Sequence, residues 1–130
     1  MRLLLRALAA VMLALLPVVA RGGDFVWFDG TAPVSFCVDT PADLVVGTAT
    51  EMFASDMEAV TGLRAVPSNA VRATIRLMQL DRATDAQRSR LSGARVPVER
   101  LDTLTDGFNI TIADGQILVT RSNGRGTAYG

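Results

Sequence analysis

Phe108-Asn-Ile-Thr-Ile-Ala-Asp-Gly-Gln-Ile-Leu-Val119 (FNITIADGQILV) alternates Phe108, Ile110 and Ile112 with Asn109 and Thr111, then returns through Ile117 and Val119. A period of two sends successive side chains to opposite faces, which predicts strands. Asp114-Gly115 between the two runs is a strong hairpin signal. An antiparallel pair therefore stands in the last third of the chain, and the fold depends on what covers it.

Upstream, Val46, Ala49, Phe53, Met57 and Val60 follow one another at steps of three and four, the spacing of one helix face. Thr40 can cap this helix, Pro41 suits its first turn and Asp43 favours the positive end of its dipole. Gly62 stands where a left-handed C-cap is expected, and Pro67 prevents early resumption. A helix is predicted from about Thr40 to Thr61. Before it, Phe25-Val-Trp-Phe28 and Val34 to Val38, separated by Asp29-Gly30 and Pro33, read as a hairpin or bent strand pair. After it, Val71, Ala73, Ile75 and Leu77 alternate with Arg72, Thr74, Arg76 and Met78, predicting a strand against the helix. Leu80 to Val96 is polar and charge-mixed, with weak helical character from Thr84 to Leu91, and reads as a surface connection. The order strand, strand, helix, strand, strand, strand predicts an α+β fold. Its expected form is a mixed or mostly antiparallel sheet covered by one main amphipathic helix, a two-layer sandwich.

Downstream, Ile117 to Gly130 (ILVTRSNGRGTAYG) reads as a strand, a loop and a helix start. Thr127 stands at an N-cap position with only Ala128, Tyr129 and Gly130 after it, so a fragment cut at its C-terminal end, or a ragged end, is expected. Strand, glycine loop and helix start is also how phosphate-binding turns are made. The spacing at Gly124, Gly126 and Gly130 is G-x-G-x-x-x-G, with Tyr129 where the third glycine of a dinucleotide fingerprint belongs. Glycines permitting a tight turn explain the loop better.

At the other end, Arg2 and Arg6 form a basic region, Ala7 to Leu16 an apolar one, and Pro17-Val-Val-Ala20 ends in small residues, the pattern of a cleaved signal peptide over residues 1–20. The competing reading is an uncleaved anchor, for which Leu3 to Ala20 is barely long enough and contains Arg6. Cleavage leaves a domain of 110 residues, 21–130, with 11 Arg against 13 acids. That balance speaks against nucleic acid as a partner, and no stable membrane anchor is expected. The setting is periplasmic or secreted.

The chain has no His and no Lys, all 13 basic residues being Arg, which excludes Ser-His-Asp triads, Cys-His dyads, His-ligated metals, Lys-based P-loops and Schiff bases. Cys37 is the single cysteine, so no intrachain disulfide can form. Within Val34-Ser-Phe-Cys-Val38 it reads as a buried thiol packed as a small hydrophobe. Glycoside hydrolysis needs two carboxylates across a cleft, and Asp81 with Asp85 and Asp102 with Asp106 are the close loop pairs. Both sit in polar, turn-rich surroundings that favour solvated acids and caps. Asn109-Ile-Thr111 matches a glycosylation sequon inside a predicted strand, and Trp27 and Tyr129 read as packing residues rather than a sugar platform. No catalytic, cofactor-binding or metal-ligating residue is assigned.

Glu51 to Gly62 (EMFASDMEAVTG), Asp106 to Ile110 (DGFNI) and Ile117 to Gly130 together resemble the non-catalytic N-terminal domain of certain exported glycoside hydrolases, most of all family 115, the xylan α-glucuronidases. Members carry a helix ending Asp-x-x-x-Val-Thr-Gly and later a strand followed by Gly-Ser-Asp-x-Arg-Gly-Thr-x-Tyr-Gly. Here that stretch begins Thr120-Arg121-Ser122-Asn123 and departs at two positions. Related domains occur in families 67 and 20. The resemblance covers Phe25 to Gly130 and implies an accessory domain that packs against a downstream barrel, where the sugar-cleaving residues lie. It implies an enzyme acting on plant polysaccharide such as glucuronoxylan. A free-standing carbohydrate-binding or interaction module, and a phosphate- or nucleotide-binding domain, are the alternatives.

Overall fold

The computed structural model describes residues 25–41 and 44–123. The segment read as a signal peptide, Asp43 of the expected helix start, and the glycine loop with Thr127 and Tyr129 lie outside the described residues.

The first strand, β1 (Ser35–Val38), leads to helix α1 (Leu44–Thr61), a two-residue strand β2 (Val66–Pro67) and strand β3 (Ile75–Gln79). A 3-10 turn (Leu80–Arg82), helix α2 (Asp85–Gly93) and helix α3 (Val98–Asp102) follow, then strands β4 (Phe108–Ala113) and β5 (Gln116–Arg121). One sheet of order β2-β1-β3-β5-β4 joins all five strands. The α+β class and a mixed sheet are what the sequence predicts. The balance of strands is not mostly antiparallel, however: β2, β1, β3 and β5 run parallel, and the antiparallel pairing is β4 with β5. The helix at 44–61 returns the chain from the end of β1 to the start of β2, the non-helical segment 68–74 does so from β2 to β3, and after β3 it is β4 that runs back, before the tight Asp114-Gly115 turn reverses it into β5. Both turn residues have positive φ, 52° and 72°, the geometry of a type I′ hairpin.

Helix α1 ends as predicted, with Gly62 at φ 79° and its N–H donating to the Glu58 carbonyl at 2.8 Å. It starts later than Thr40, whose buried hydroxyl instead accepts the Gln79 N–H at 3.0 Å. The buried face is Val46, Ala54 and Met57, while Val60 is 84% exposed. At 100° per residue Ala54 and Val60 lie about 80° and 40° to opposite sides of Val46, so the contact arc has turned toward Ala54. Half-buried Thr61 on that side donates to the Met57 carbonyl at 2.6 Å.

Three other sequence expectations are corrected. Residues 25–28 form no strand, because β1 is already paired on both edges, by β2 and β3, which leaves no ladder for an incoming arm. Phe28 packs instead onto the core beside α1, and the chain turns at Asp29, whose carboxylate accepts the N–H groups of Thr31 and Ala32. The strand expected from Val71 begins at Ile75, because the Asn69 side chain accepts the N–H groups of Val71 and Arg72 and holds a turn there. Leu80 to Val96 is not merely a surface connection. Thr84 and Gln87 form a capping box that starts α2, and Leu80, Leu91 and Val96 are buried with Met78, Val98, Leu101 and Leu118.

The register explains why there are two helical layers. Phe36, Ile75, Ile117 and Ile112 line up across the sheet, as do Val38, Leu77, Val119 and Ile110, on the face covered in part by α1. Cys37, Arg76, Leu118 and Thr111, and then Met78, Thr120 and Asn109, point the other way, under α2 and α3. The expected main helix thus covers one face, and a second, shorter helical layer covers the other.

Candidate functional site at the carboxyl edge of the sheet

After β1 the chain crosses over α1 to β2 on one side, and after β3 it runs through α2 and α3 to the hairpin on the other. Such a reversal between neighbouring parallel strands leaves a crevice outside their carboxyl ends, the usual ligand position in open α/β sheets. Here that position falls at Asp39 and Thr40 after β1 and at Gln79 and Leu80 after β3.

The crevice is occupied by the chain's own polar groups. Arg76 reaches across from β3 and donates its Nε to Asp39 Oδ2 at 2.6 Å, with Nη2 on the same oxygen. Both side chains are buried, at 10% and 7% exposure. Asp39 is held at its backbone as well, its N–H donating to the Leu77 carbonyl at 2.9 Å and its carbonyl accepting Gln87 Nε2 at 3.0 Å. Arg82 Nη1 donates to the Pro41 carbonyl at 3.0 Å. A desolvated carboxylate whose charge is matched by a guanidinium is poorly suited to general-base work, and these contacts tie β1, β3 and α2 together.

Cys37 is half-buried, not fully packed away, and its thiol donates to Asp39 Oδ1 at 3.4 Å. Burial, with the charge of Asp39 and this hydrogen bond, pushes the thiol pKa up, and Arg76 opposes them only in part. The thiol is kept protonated and is a weak nucleophile.

A second polar knot lies at the end of β5. Arg121 Nη2 donates to the Thr105 carbonyl and to Asp106 Oδ1, Ser122 Oγ to the Leu104 carbonyl at 2.8 Å, and Asn123 Nδ2 to the Thr105 carbonyl at 3.0 Å. Three consecutive residues thereby clamp the loop that leads into β4. The Arg121 side chain is fully buried, and its Nε and Nη1, with Thr120 Oγ1, find no hydrogen-bond partner among the described residues.

The sequence candidates take other positions. Asp81 and Asp85 are exposed, Asp85 in the first turn of α2, while Asp102 pairs with Arg88 and Asp106 with Arg121. Asn109 is half-buried in β4, its Oδ1 accepting the Thr111 hydroxyl at 2.6 Å. Trp27 is exposed and tilted against Phe28, the ring centroids 6.4 Å apart. Among the described residues no group of three or more His, Cys, Asp or Glu could hold a metal ion. An open depression of about 300 Å³ at the junction of α2 and α3 is lined by Arg95, Val96, Pro97, Glu99 and Arg100 among others. It brings together none of the sequence candidates. Sequence reasoning missed Asp39, Arg76 and Arg121; a legible signal existed for two of them, since the runs SFCV and ILVT are each followed by a charged residue, Asp39 and Arg121, whereas nothing local singles out Arg76 within IRLM.

No protein-family model matches the sequence, and no curated protein matches it. Among solved structures the fold is similar to part of BtGH115A, a family GH115 4-O-methyl-alpha-glucuronidase with specificity for decorated arabinogalactans. The TM-score is 0.57 at 23% identity over 76% of this chain. The chain spans 12% of the length of that enzyme. The two share a fold, which in the enzyme is one part of a much longer polypeptide.

Proposed function

We propose that this chain is the non-catalytic N-terminal accessory domain of an exported glycoside hydrolase that removes glucuronic-acid decorations from plant polysaccharide, with its catalytic barrel elsewhere in the polypeptide. The observation that carries this reading is the likeness to a small part of a GH115 α-glucuronidase. Among the described residues the carboxyl edge of the sheet supports it: the charges of Asp39 and Arg76 bind each other, and the Cys37 thiol donates to Asp39. The leader over residues 1–20 supports export, and glucuronoxylan and decorated arabinogalactan are the substrate classes to be tried.

The test compares two purified proteins, the product of the complete reading frame and residues 21–130 alone. Release of 4-O-methylglucuronic acid from glucuronoxylan or decorated arabinogalactan is expected from the first and not from the second. Activity in residues 21–130 alone, or a reading frame that encodes no further domain, would overturn the proposal.

A further inference from the structure

Helix α2 ends in a Schellman turn: the Val96 N–H donates to the Leu91 carbonyl at 3.0 Å, and the Arg95 N–H to the Ser92 carbonyl at 3.0 Å. The residue that closes such a turn is left-handed and usually glycine, because a Cβ crowds the following carbonyl there. Here it is Arg95, at φ 63°, while Gly93, two residues earlier, has no positive φ. Strain of this kind persists where the side chain has a use that a glycine could not serve.

The Arg95 side chain lines the open depression of about 300 Å³ between α2 and α3, together with Glu99 and Arg100. Arg64, Arg76, Arg88 and Arg121 each pair with an acid. The side chains of Arg95, Glu99 and Arg100 form no hydrogen bond or ion pair among the described residues. Two guanidinium groups and one carboxylate leave the rim with one net positive charge, and Ser92 adds a hydroxyl and Pro97 an apolar ring.

We propose that this depression binds one uronic-acid unit of an acidic saccharide, Arg95 and Arg100 taking its carboxylate while Glu99 and Ser92 bond its hydroxyls. A guanidinium matches a carboxylate in both charge and plane. One carboxylate balances the net charge of the rim. A more highly charged anion meets repulsion from Glu99, and a neutral sugar strips water from two guanidinium groups without matching their charge. The volume lies at the small end of the ligand-pocket range of about 300–1,000 Å³, which suits a single sugar unit. The lining is fixed before a ligand arrives, since Val96 and Val98 are buried with Leu91 and Leu101, so binding orders only side-chain ends. The choice of glucuronate as the acidic sugar rests on the accessory-domain reading, whereas the charge argument stands on the depression itself.

The experiment labels the product of the complete reading frame with phenylglyoxal, which modifies arginine, and follows each site by peptide mass spectrometry. Sodium glucuronate, glucose and inorganic phosphate are compared at equal concentration. Glucuronate at about ten times its dissociation constant should slow the labelling of Arg95 and Arg100 about tenfold, since labelling falls as 1 + [L]/Kd. Exposed Arg72, before β3, should label at an unchanged rate. No protection, protection that extends to Arg72, or equal protection by glucose or phosphate would overturn the inference. In parallel, Arg95→Gly relieves the strained turn and removes the guanidinium, so the melting temperature should hold or rise while Arg100 loses its protection. A lower melting temperature, or protection of Arg100 left intact, would show that Arg95 serves the turn alone and overturn its role here. If the reading frame encodes no further domain, the proposed function falls, and the labelling of Arg95 and Arg100 still decides this inference. If a domain is present and glucuronate protects neither arginine, only this inference falls.

Discussion

The Arg76–Asp39 pair lends itself to a double-mutant cycle, because its two charges are nearly out of water and meet few other charges. At an effective dielectric of 20, opposite charges about 4 Å apart attract by about 4 kcal/mol, and desolvation of both groups offsets much of that. Replacing Asp39 by Ala leaves the Arg76 guanidinium buried without its counter-charge, which costs about 3–5 kcal/mol. For a domain whose total stability is about 5–15 kcal/mol that is a large fraction. At about 4–8 °C per kcal/mol the melting temperature should fall by about 12–40 °C. Removing both charges in Asp39→Ala/Arg76→Met should be milder than the sum of the single changes by about 2 kcal/mol, since no charge is then stranded. Asp39 also accepts the Cys37 thiol. Cys37→Ala therefore serves as a control, expected to cost less than Asp39→Ala. The assay is urea unfolding followed by far-UV circular dichroism, with the m-value checked for constancy across the cycle. An Asp39→Ala cost below about 1 kcal/mol, or additivity within about 0.5 kcal/mol, would refute the reasoning.

Three further outcomes are expected. Gly47 lies inside α1 with open space where a Cβ would stand, so Gly47→Ala should stabilise by about 0.5–1 kcal/mol. Gly62 has equal space but φ 79°, so Gly62→Ala should destabilise by about 1–2 kcal/mol, and the pair of denaturation midpoints separates space from backbone strain. Met57→Ala should cost about 2–5 kcal/mol whereas Val60→Gln should stay within about 0.5 kcal/mol, and comparable losses would show that the helix face is misplaced. The raised pKa of Cys37 means that folding favours the protonated thiol. This contribution is complete below the unfolded thiol value of about 8.5 and is lost as pH rises through the higher folded value. Iodoacetamide should accordingly alkylate Cys37 in the folded chain more slowly than in urea at pH about 8.5, and faster reaction in the folded chain would contradict the shift.

Where local chemistry settles conformation, the sequence was informative. Asp114-Gly115 adopts the two positive φ angles a tight hairpin needs, and Gly62 the one a helix end needs, because these are properties of the residues themselves. Readings failed where a distant element decided the outcome. Phe25 to Phe28 has strand composition, yet β2 and β3 had taken both edges of β1, and β2 is only two residues long, too short to register in a pattern search. Val60 keeps the helical spacing but lies on the side of α1 turned from the Ala54 contact. Leu80, Leu91 and Val96 looked isolated among charges because their partners, Met78 and Leu118, belong to β3 and β5. Arg76 looked like one residue of a polar strand face, and its partner is 37 positions earlier in the chain.

Parts of two stretches that carry the resemblance, Asp106 to Ile110 and Ile117 to Asn123, meet in space as the hairpin and its mount. The likeness is therefore one of scaffold, where shared geometry needs no shared chemistry. Counting back from Arg125-Gly126, the two departures from the Gly-Ser-Asp-x-Arg-Gly pattern fall at Arg121 and Asn123. Both donate to the Thr105 carbonyl. A glycine has no side chain to do so, and an ionised aspartate has no donor. Arg121 and Asn123 thus hold the loop before β4 by two bonds to one carbonyl, and Nε and Nη1 of the buried guanidinium find no partner among the described residues.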